Sequence, residues 1–213
     1  MDTTARPLRA DAERRRQAII CAAGSVFAEE GTAVTLEHIA EKAGVGVGTI
    51  YRRFPSIEAL VGVVFEEKMR RFADEAVAAA ERARTEPWDA FADYVMFVMR
   101  HQAEDLAFSD VILSPGLGSK LFRAETRRAL AATQLLVERA QAAGAIRADF
   151  DESDLFMLQH ANAGLIRRTQ RSAPTAWKRF AEYMLQAFRV DGGHLEPPSA
   201  TWLRAGSRAA RDS

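Results

Sequence analysis

Two short helical patterns separated by a glycine occupy residues 35–54, which read TLEHIAEKAGVGVGTIYRRF. The first opens at Thr35, a residue type that favours helix N-caps, and Ile50 marks the apolar face of the second. Helices this short pack only if they cross closely, and Ala40 is the small residue that allows the crossing. The turn between them requires positive φ, which Gly44 tolerates. These residues therefore predict a helix-turn-helix segment.

The remainder of the chain is also predicted to be helical. Ala, Leu, Glu and Arg are good helix formers and are frequent, and no alternating strand pattern of useful length occurs. We therefore expect an all-α fold, interrupted at residues 114–118, SPGLG. Besides the two short helices, the predicted helices span about residues 11–30, 57–84, 88–105, 120–143, 153–171 and 174–190.

Several classes of protein are excluded by simpler features. No apolar stretch approaches the roughly 18 residues of a transmembrane helix, and the polar N-terminus lacks the apolar segment of a signal peptide. A single cysteine cannot form an internal disulfide framework. We therefore expect a cytoplasmic protein with no membrane partner.

No signature of an enzyme or a metal site occurs in the sequence. A nucleophile elbow, a phosphate-binding loop and a dinucleotide fingerprint are all missing. The histidines and the cysteine do not have metal-ligand spacing. We therefore expect no catalytic residue, no cofactor and no metal ligand. The residues in question are His38, His101, His160, His194 and Cys21.

The outer side of the second short helix is the candidate binding surface. Ile50 and Phe54 are expected to hold that helix against the first, as in a recognition helix that enters the major groove of DNA. A helical hairpin in an unrelated bundle would show the same periodicity. The 29 basic and 29 acidic residues give DNA binding little support, although local arginine runs can meet phosphates. The outer residues are Val47, Thr49, Tyr51, Arg52 and Arg53.

The residue identities favour DNA binding. From Arg15 to Phe72 the chain resembles the DNA-binding domain of the TetR family of transcriptional regulators, and IAEKAGVGVGTIYRRFPSIEAL matches the family signature. Beyond that first third, the resemblance covers only architecture, namely the helix number, the long fourth helix and the segment AGAIRADFDESDL. It implies an all-α homodimer of about nine helices whose helix-turn-helix units bind a palindromic operator.

A ligand-responsive regulator is what this resemblance implies. Most family members are repressors that a small organic effector releases from operator DNA, and one subgroup activates instead; the sequence does not separate the two. The implied partners are double-stranded operator DNA, the effector and a second copy bound through the last two helices. The alternative is a helical lipid-binding, small-molecule-binding or interaction protein that binds no DNA, which a buried Thr49 and Tyr51 would favour.

Position by position, the resemblance also implies which residues contact DNA. Thr35 would cap the first short helix and touch phosphate, and Thr49 and Tyr51 match the TxY pair that contacts base edges or phosphate. Arg53 stands where the family usually has histidine, and both residue types reach the backbone or guanine. The predicted DNA-binding residues are Thr35, Val47, Gly48, Thr49, Tyr51, Arg52 and Arg53.

Two departures from the family pattern bear on how bases are recognised. Val47 and Gly48 occupy positions where polar side chains often contact bases. We therefore expect few direct contacts to bases, and we expect these to be apolar contacts with thymine methyl groups. Ile57 stands where a Lys or Arg commonly pairs with phosphate. The candidates to compensate are Arg6, Arg9, Arg14, Arg52 and Arg53.

Three segments are expected. Residues 1–56 form an N-terminal arm and the DNA-binding domain, residues 57–190 form the helical effector-binding and dimerisation domain, and residues 191–213 form a mobile polar tail.

The C-terminal domain carries many aromatic and methionine residues on different helices. Most are expected in the core, while a subset lines an apolar effector cavity with polar anchors such as Gln102, Gln159 or Asn162. The predicted pocket residues are Phe65, Met69, Trp88, Phe91, Met99, His101, Met157 and His160.

The last two helices carry wide apolar stripes, wider than one monomer core requires, and this surplus predicts a four-helix contact between two copies. The residues of the stripes are Leu155, Leu158, Leu165, Ile166, Trp177, Phe180, Met184 and Phe188.

Overall fold

A computed structural model of the chain describes residues 5–113 and 120–190. Within these residues it contains nine α-helices and no strand, which confirms the all-α prediction. The predicted break at residues 114–118 and the predicted mobile tail at residues 191–213 lie outside the described residues. The helices are α1 (Ala5–Glu30), α2 (Leu36–Lys42), α3 (Val47–Arg53), α4 (Ile57–Arg82), α5 (Pro87–Glu104), α6 (Leu106–Leu113), α7 (Arg123–Ala142), α8 (Glu152–Thr169) and α9 (Ala176–Phe188).

Contacts divide the chain into two compact units, and the division falls after Glu67, inside α4. The first unit is built on α1, α2, α3 and the beginning of α4. Its core side chains have little or no exposed surface, and the Phe27 and Phe65 rings stack with centroids 5.9 Å apart. Gly31, at φ +81°, follows the end of α1 in the left-handed conformation that glycine adopts readily and that is common directly after a helix. The fully buried residues of this core are Ile19, Ala23, Phe27, Ile39, Ala40, Ile50 and Leu60.

The second unit is arranged around α5, which contacts α6, α7, α8 and α9. Phe91 of α5 has no exposed surface and meets the rings of Phe150 and Phe188 edge to face, at 5.4 Å and 6.3 Å between centroids. The Gln141 side chain stabilises the segment between α7 and α8, because its amide donates to the carbonyl oxygens of residues 147, 148 and 150. None of the helices in the described ranges is long and apolar enough to span a membrane.

Several helix boundaries differ from the predictions. The sequence did not predict α6, which forms because the Asp105 carboxylate accepts a hydrogen bond from the Phe108 amide at 2.9 Å and so caps a short apolar segment. The last helix begins at Ala176 rather than at Pro174, which lies in the preceding turn. α8 begins at Glu152, directly after Asp151, because Asp151 and Asp154 form a reciprocal capping box.

Candidate functional site

The turn between α2 and α3 is fixed by backbone geometry. The Thr35 hydroxyl accepts a hydrogen bond from the His38 amide at 3.3 Å and caps α2. Gly44 has φ +63°, so a side chain at this position would be strained, and Val45 N–H donates to the Ala40 carbonyl at 3.0 Å. Ala40 is fully buried, as a close helix crossing requires. The sequence-based expectations for this turn are therefore confirmed in detail.

The inner face of α3 is buried and its outer face is exposed. Ile50 has no exposed surface and Phe54, directly after the helix, is only 3 % exposed. On the outer face, Val47 and Tyr51 are 47 % and 46 % exposed. Thr49 is half-buried, and the remaining outer residues Gly48, Arg52 and Arg53 are exposed. The structure thus brings six of the seven predicted DNA-binding residues onto one short helix, and Thr35 lies at the start of its partner.

Tyr51 has a partner that the sequence did not indicate. Its hydroxyl donates to the Glu37 carboxylate, with 2.6 Å between the two oxygens. This bond lowers the pKa of Glu37 and raises the pKa of Tyr51, because it is strongest when the carboxylate is ionised and the phenol is protonated. Two residues 14 positions apart are therefore joined on the surface formed by α2 and α3.

The basic residues expected to contact phosphate differ in their surroundings. Arg52 donates from Nε to the Gly48 carbonyl at 3.2 Å, within α3. Arg14 and Arg15 both pair with Asp11 on α1, at 3.4 Å and 2.7 Å. The side chains of Arg6 and Arg9 lie outside the described part of the chain, and Ile57 is half-buried.

A small, partly open cavity of about 10 Å³, the size of one water molecule, lies in the second unit. Its walls are both apolar and polar. Gln102, which is 5 % exposed, donates to the Ser109 hydroxyl and to the Gln159 carbonyl, at 3.1 Å each. The fully buried Asn162 amide donates to the Gln102 side-chain oxygen at 2.8 Å. The cavity is lined by Phe72, Val98, His101, Gln102, Phe108, Ser109, Ile112 and Gln159.

A larger surface cleft of about 240 Å³ adjoins the same residues, since His101 and Phe108 line both spaces. Burial lowers the pKa of His101 more than the nearby Glu104 raises it, so the ring is neutral at neutral pH. The His101 ring also contacts the Phe97 ring at 4.3 Å between centroids. The remaining lining residues of the cleft are Lys68, Arg71, Glu104 and Asp105.

The structure does not bring the eight predicted pocket residues together at these two spaces, where only His101 among them is a lining residue. Phe65 lies in the first unit, and Met69, Phe91 and Met99 are buried in the second. Met157 is 46 % exposed. Trp88 is half-buried with the Arg189 guanidinium over its ring, and His160, also half-buried, contacts the Phe156 carbonyl through Nδ1.

Two family models match separate parts of the chain. The model described as bacterial regulatory proteins, tetR family, matches residues 19–64, and the model described as transcriptional regulator SbtR-like, C-terminal domain, matches residues 86–189. The chain belongs to the TetR family of transcriptional regulators.

Solved TetR structures cover most of this chain. A TetR transcription regulatory protein from Mycobacterium vanbaalenii is 32 % identical, covering 86 % of this chain and 100 % of that one, with a TM-score of 0.47. A TetR transcriptional regulator from Streptomyces coelicolor is 28 % identical, covering 83 % and 99 %, with a TM-score of 0.51. The fatty acid degradation regulator FadR from Bacillus halodurans, 23 % identical over 82 % and 100 % with a TM-score of 0.58, shows the fold alone. A comparison with curated proteins gave no match.

In this TetR-family chain most residues of the predicted dimer stripe are buried in the core of the single chain. Leu155, Leu158 and Ile166 of α8 are at most 6 % exposed, as are Trp177 and Phe188 of α9. Leu165, Phe180 and Met184 are half-buried. A second apolar stripe, of which the sequence predicted only Phe180, faces outward on the same helices. It consists of Met157, Ala161 and Gly164 on α8 and of Phe180, Tyr183 and Ala187 on α9.

The cavity residues that sequence reasoning missed are mostly on α6. Phe108 and Ser109 are 1 % and 2 % exposed, and they line the cavity because α6 turns the chain back over α5 and α8. Asp105 directly before the apolar segment Leu106–Leu113 is a cap signal that would have revealed this helix.

Proposed function

We propose that this TetR-family regulator binds a palindromic operator as a homodimer, represses transcription, and is released by a small organic effector. The observation that supports this most directly is the exposed outer face of α3, held by a buried Ile50 and by the Gly44 turn. Exposure of Tyr51 and family membership both disfavour the alternative of a helical carrier protein that binds no DNA. In this proposal the protein acts by binding operator DNA and the effector, and it catalyses no reaction.

In this proposal α3 enters the major groove. The outward positions of Val47 and Gly48 place small and apolar groups against base edges, where thymine methyl groups are the matching feature. Arg52 and Arg53 lie in the last turn of α3 and supply positive charge for phosphate or guanine. Thr35 supplies a hydroxyl at the start of α2, and Thr49 a half-buried one on α3.

Selection of bound fragments from genomic DNA tests the proposal. We expect enrichment of one palindrome whose half-sites are about 34–36 Å apart along the duplex, so that two recognition helices reach successive major grooves. Affinity for it should fall steeply as salt increases, because phosphate contacts release counterions. Failure to enrich any palindrome across a range of low-salt conditions would contradict operator binding.

The small cavity is the proposed effector site. It joins apolar walls to the polar side chains of Gln102, Ser109 and Gln159, of which the first two are buried, a combination typical of sites for small organic molecules. One water's volume cannot hold an organic effector, so binding must enlarge the cavity. Movement of His101 and Phe108, which line both spaces, would join the cavity to the surface cleft.

Effector and operator binding should be thermodynamically linked. The effector can shift DNA binding only by its differential affinity for the DNA-bound and released states, typically ~1–3 kcal/mol. Linkage is reciprocal, so saturating operator DNA should weaken effector binding about 5- to 150-fold. We would find effectors by thermal-shift screening and titrate them calorimetrically with and without operator. Equal affinity in both titrations would contradict effector-controlled release while leaving operator binding intact.

The outward stripe on α8 and α9 is the proposed dimer interface. Met157 and Tyr183 are 46 % and 57 % exposed, which is high for large apolar and aromatic side chains on helices whose other faces are buried. A Cβ atom added to Gly164 would meet no atom within 4 Å, so the surface there is open to close approach by another helix.

A further inference from the structure

The Tyr51 hydroxyl donates its hydrogen bond to the Glu37 carboxylate. The 2.6 Å separation between Tyr51 Oη and Glu37 Oε1 is typical of a charge-assisted O–H···O⁻ bond, which is about twice as strong as a neutral one. Both side chains belong to exposed residues on the surface formed by α2 and α3. Glu37 lies in the first turn of α2, and Tyr51 lies on the outer face of α3.

A phenol has one proton, so this bond determines what Tyr51 can still do. With the proton donated to Glu37, the Tyr51 oxygen retains only acceptor lone pairs for a further partner. A DNA phosphate has only acceptor oxygens, and it would also be repelled by the Glu37 carboxylate. Base amines are donors, and in the major groove they are adenine N6 and cytosine N4, whereas guanine and thymine present acceptors.

We propose that Glu37 is a specificity-determining residue that fixes Tyr51 as a hydrogen-bond acceptor, so that Tyr51 recognises the exocyclic amine of adenine or cytosine rather than a phosphate. This inference rests on the proposed function, in which α3 enters the major groove. It adds to that function a residue of α2 that acts on base choice through Tyr51.

The titration of the pair supports the same distribution of the proton. The Tyr51 hydrogen bond is the largest cause that lowers the Glu37 pKa, so the carboxylate is ionised at neutral pH. The same bond raises the pKa of Tyr51 above the ordinary phenol value of 10.0, so the phenol keeps its proton. An ionised acceptor and a protonated donor are therefore both present under the conditions in which DNA is bound.

Operator selection with variants of the full-length protein tests the inference. Tyr51→Phe removes the hydroxyl. Glu37→Ala removes the acceptor, so that the Tyr51 hydroxyl proton is free for another partner. Glu37→Gln keeps an acceptor oxygen in place while removing the charge. Glu41→Ala is the matched control, because Glu41 is an exposed carboxylate on the same helix and its loss changes the net charge equally. Thermal melting of each variant verifies that it folds.

The wild type and Glu37→Gln should prefer adenine or cytosine at one position of each half-site, by about 5-fold for a single hydrogen bond. Tyr51→Phe should lose that preference. Glu37→Ala should shift it towards guanine or thymine, because the freed proton can be donated to O6 or O4. Glu41→Ala should keep the wild-type preference.

Two results would overturn this inference alone. One is a Glu37→Ala variant that selects the wild-type base; the other is a Tyr51→Phe variant that weakens binding uniformly across operator sequences, as loss of a phosphate contact would. A wild-type protein that enriches no operator would instead overturn the proposed function, and the role of Glu37 with it.

Discussion

Ala161→Glu is expected to weaken the dimer about 150- to 5000-fold, because a carboxylate would be buried without a partner at the proposed interface, at a cost of ~3–5 kcal/mol. Ala161 is exposed in the single chain and lies between Met157 and Gly164 on the outward face of α8. The substitution therefore should not disturb the packing of the monomer. Sedimentation equilibrium over a range of protein concentrations measures the effect.

Ala131→Glu is the matched control for this prediction. Ala131 is an exposed alanine on α7, so the same change in size and charge is made away from the proposed interface. We expect Ala131→Glu to dimerise as the wild type does. If Ala161→Glu also dimerises with wild-type affinity, then the outward stripe of α8 and α9 does not form the interface. Operator binding should fall together with dimerisation, because a palindrome is bound by two copies.

Phe91→Ala is expected to lower the free energy of unfolding by ~3–5 kcal/mol, the cost of truncating a fully buried phenylalanine and leaving a cavity. Its ring meets Phe150 and Phe188 edge to face, and such aromatic pairs add to the cost beyond the buried area. Equilibrium denaturation at one fixed protein concentration measures the loss, since dimerisation makes stability depend on concentration.

Val77→Ala provides the comparison for Phe91→Ala. Val77 is 38 % exposed on α4, and its truncation should change stability by no more than about 0.5 kcal/mol. A loss below about 1 kcal/mol in Phe91→Ala would mean that the surroundings of this ring repack easily. That result would favour the sequence-based assignment of Phe91 to an effector pocket over its place in a close-packed core.

The helix-turn-helix segment could be predicted from sequence because its determinants are local. Thr35 caps α2, Gly44 takes positive φ, and Ile50 faces inward, and each of these depends on residues within a few positions along the chain. The same holds for the capping box at Asp151. Helix N-caps, glycine turns and the apolar period of a single helix require no knowledge of distant contacts.

The cavity beside His101 could not be predicted in the same way. Helical periodicity assigns a residue to a face but does not say which other helix covers that face. Phe91 and His101 are both on α5, yet Phe91 is packed against Phe150 and Phe188 while His101 borders a cavity and a surface cleft. The difference arises from α6, whose capped segment places Phe108 against that end of α5 and was not predicted.

The sequence by itself determined the all-α class, the helix-turn-helix segment and the family, because caps, glycines, helical periods and a signature motif are properties of neighbouring residues. Only the tertiary structure decided which apolar residues are core, which line the cavity and which form an outward stripe. Only it joined Glu37 to Tyr51 across 14 positions. The physical reason is that burial and side-chain hydrogen bonding depend on which surfaces meet in space, and the local pattern leaves that choice open.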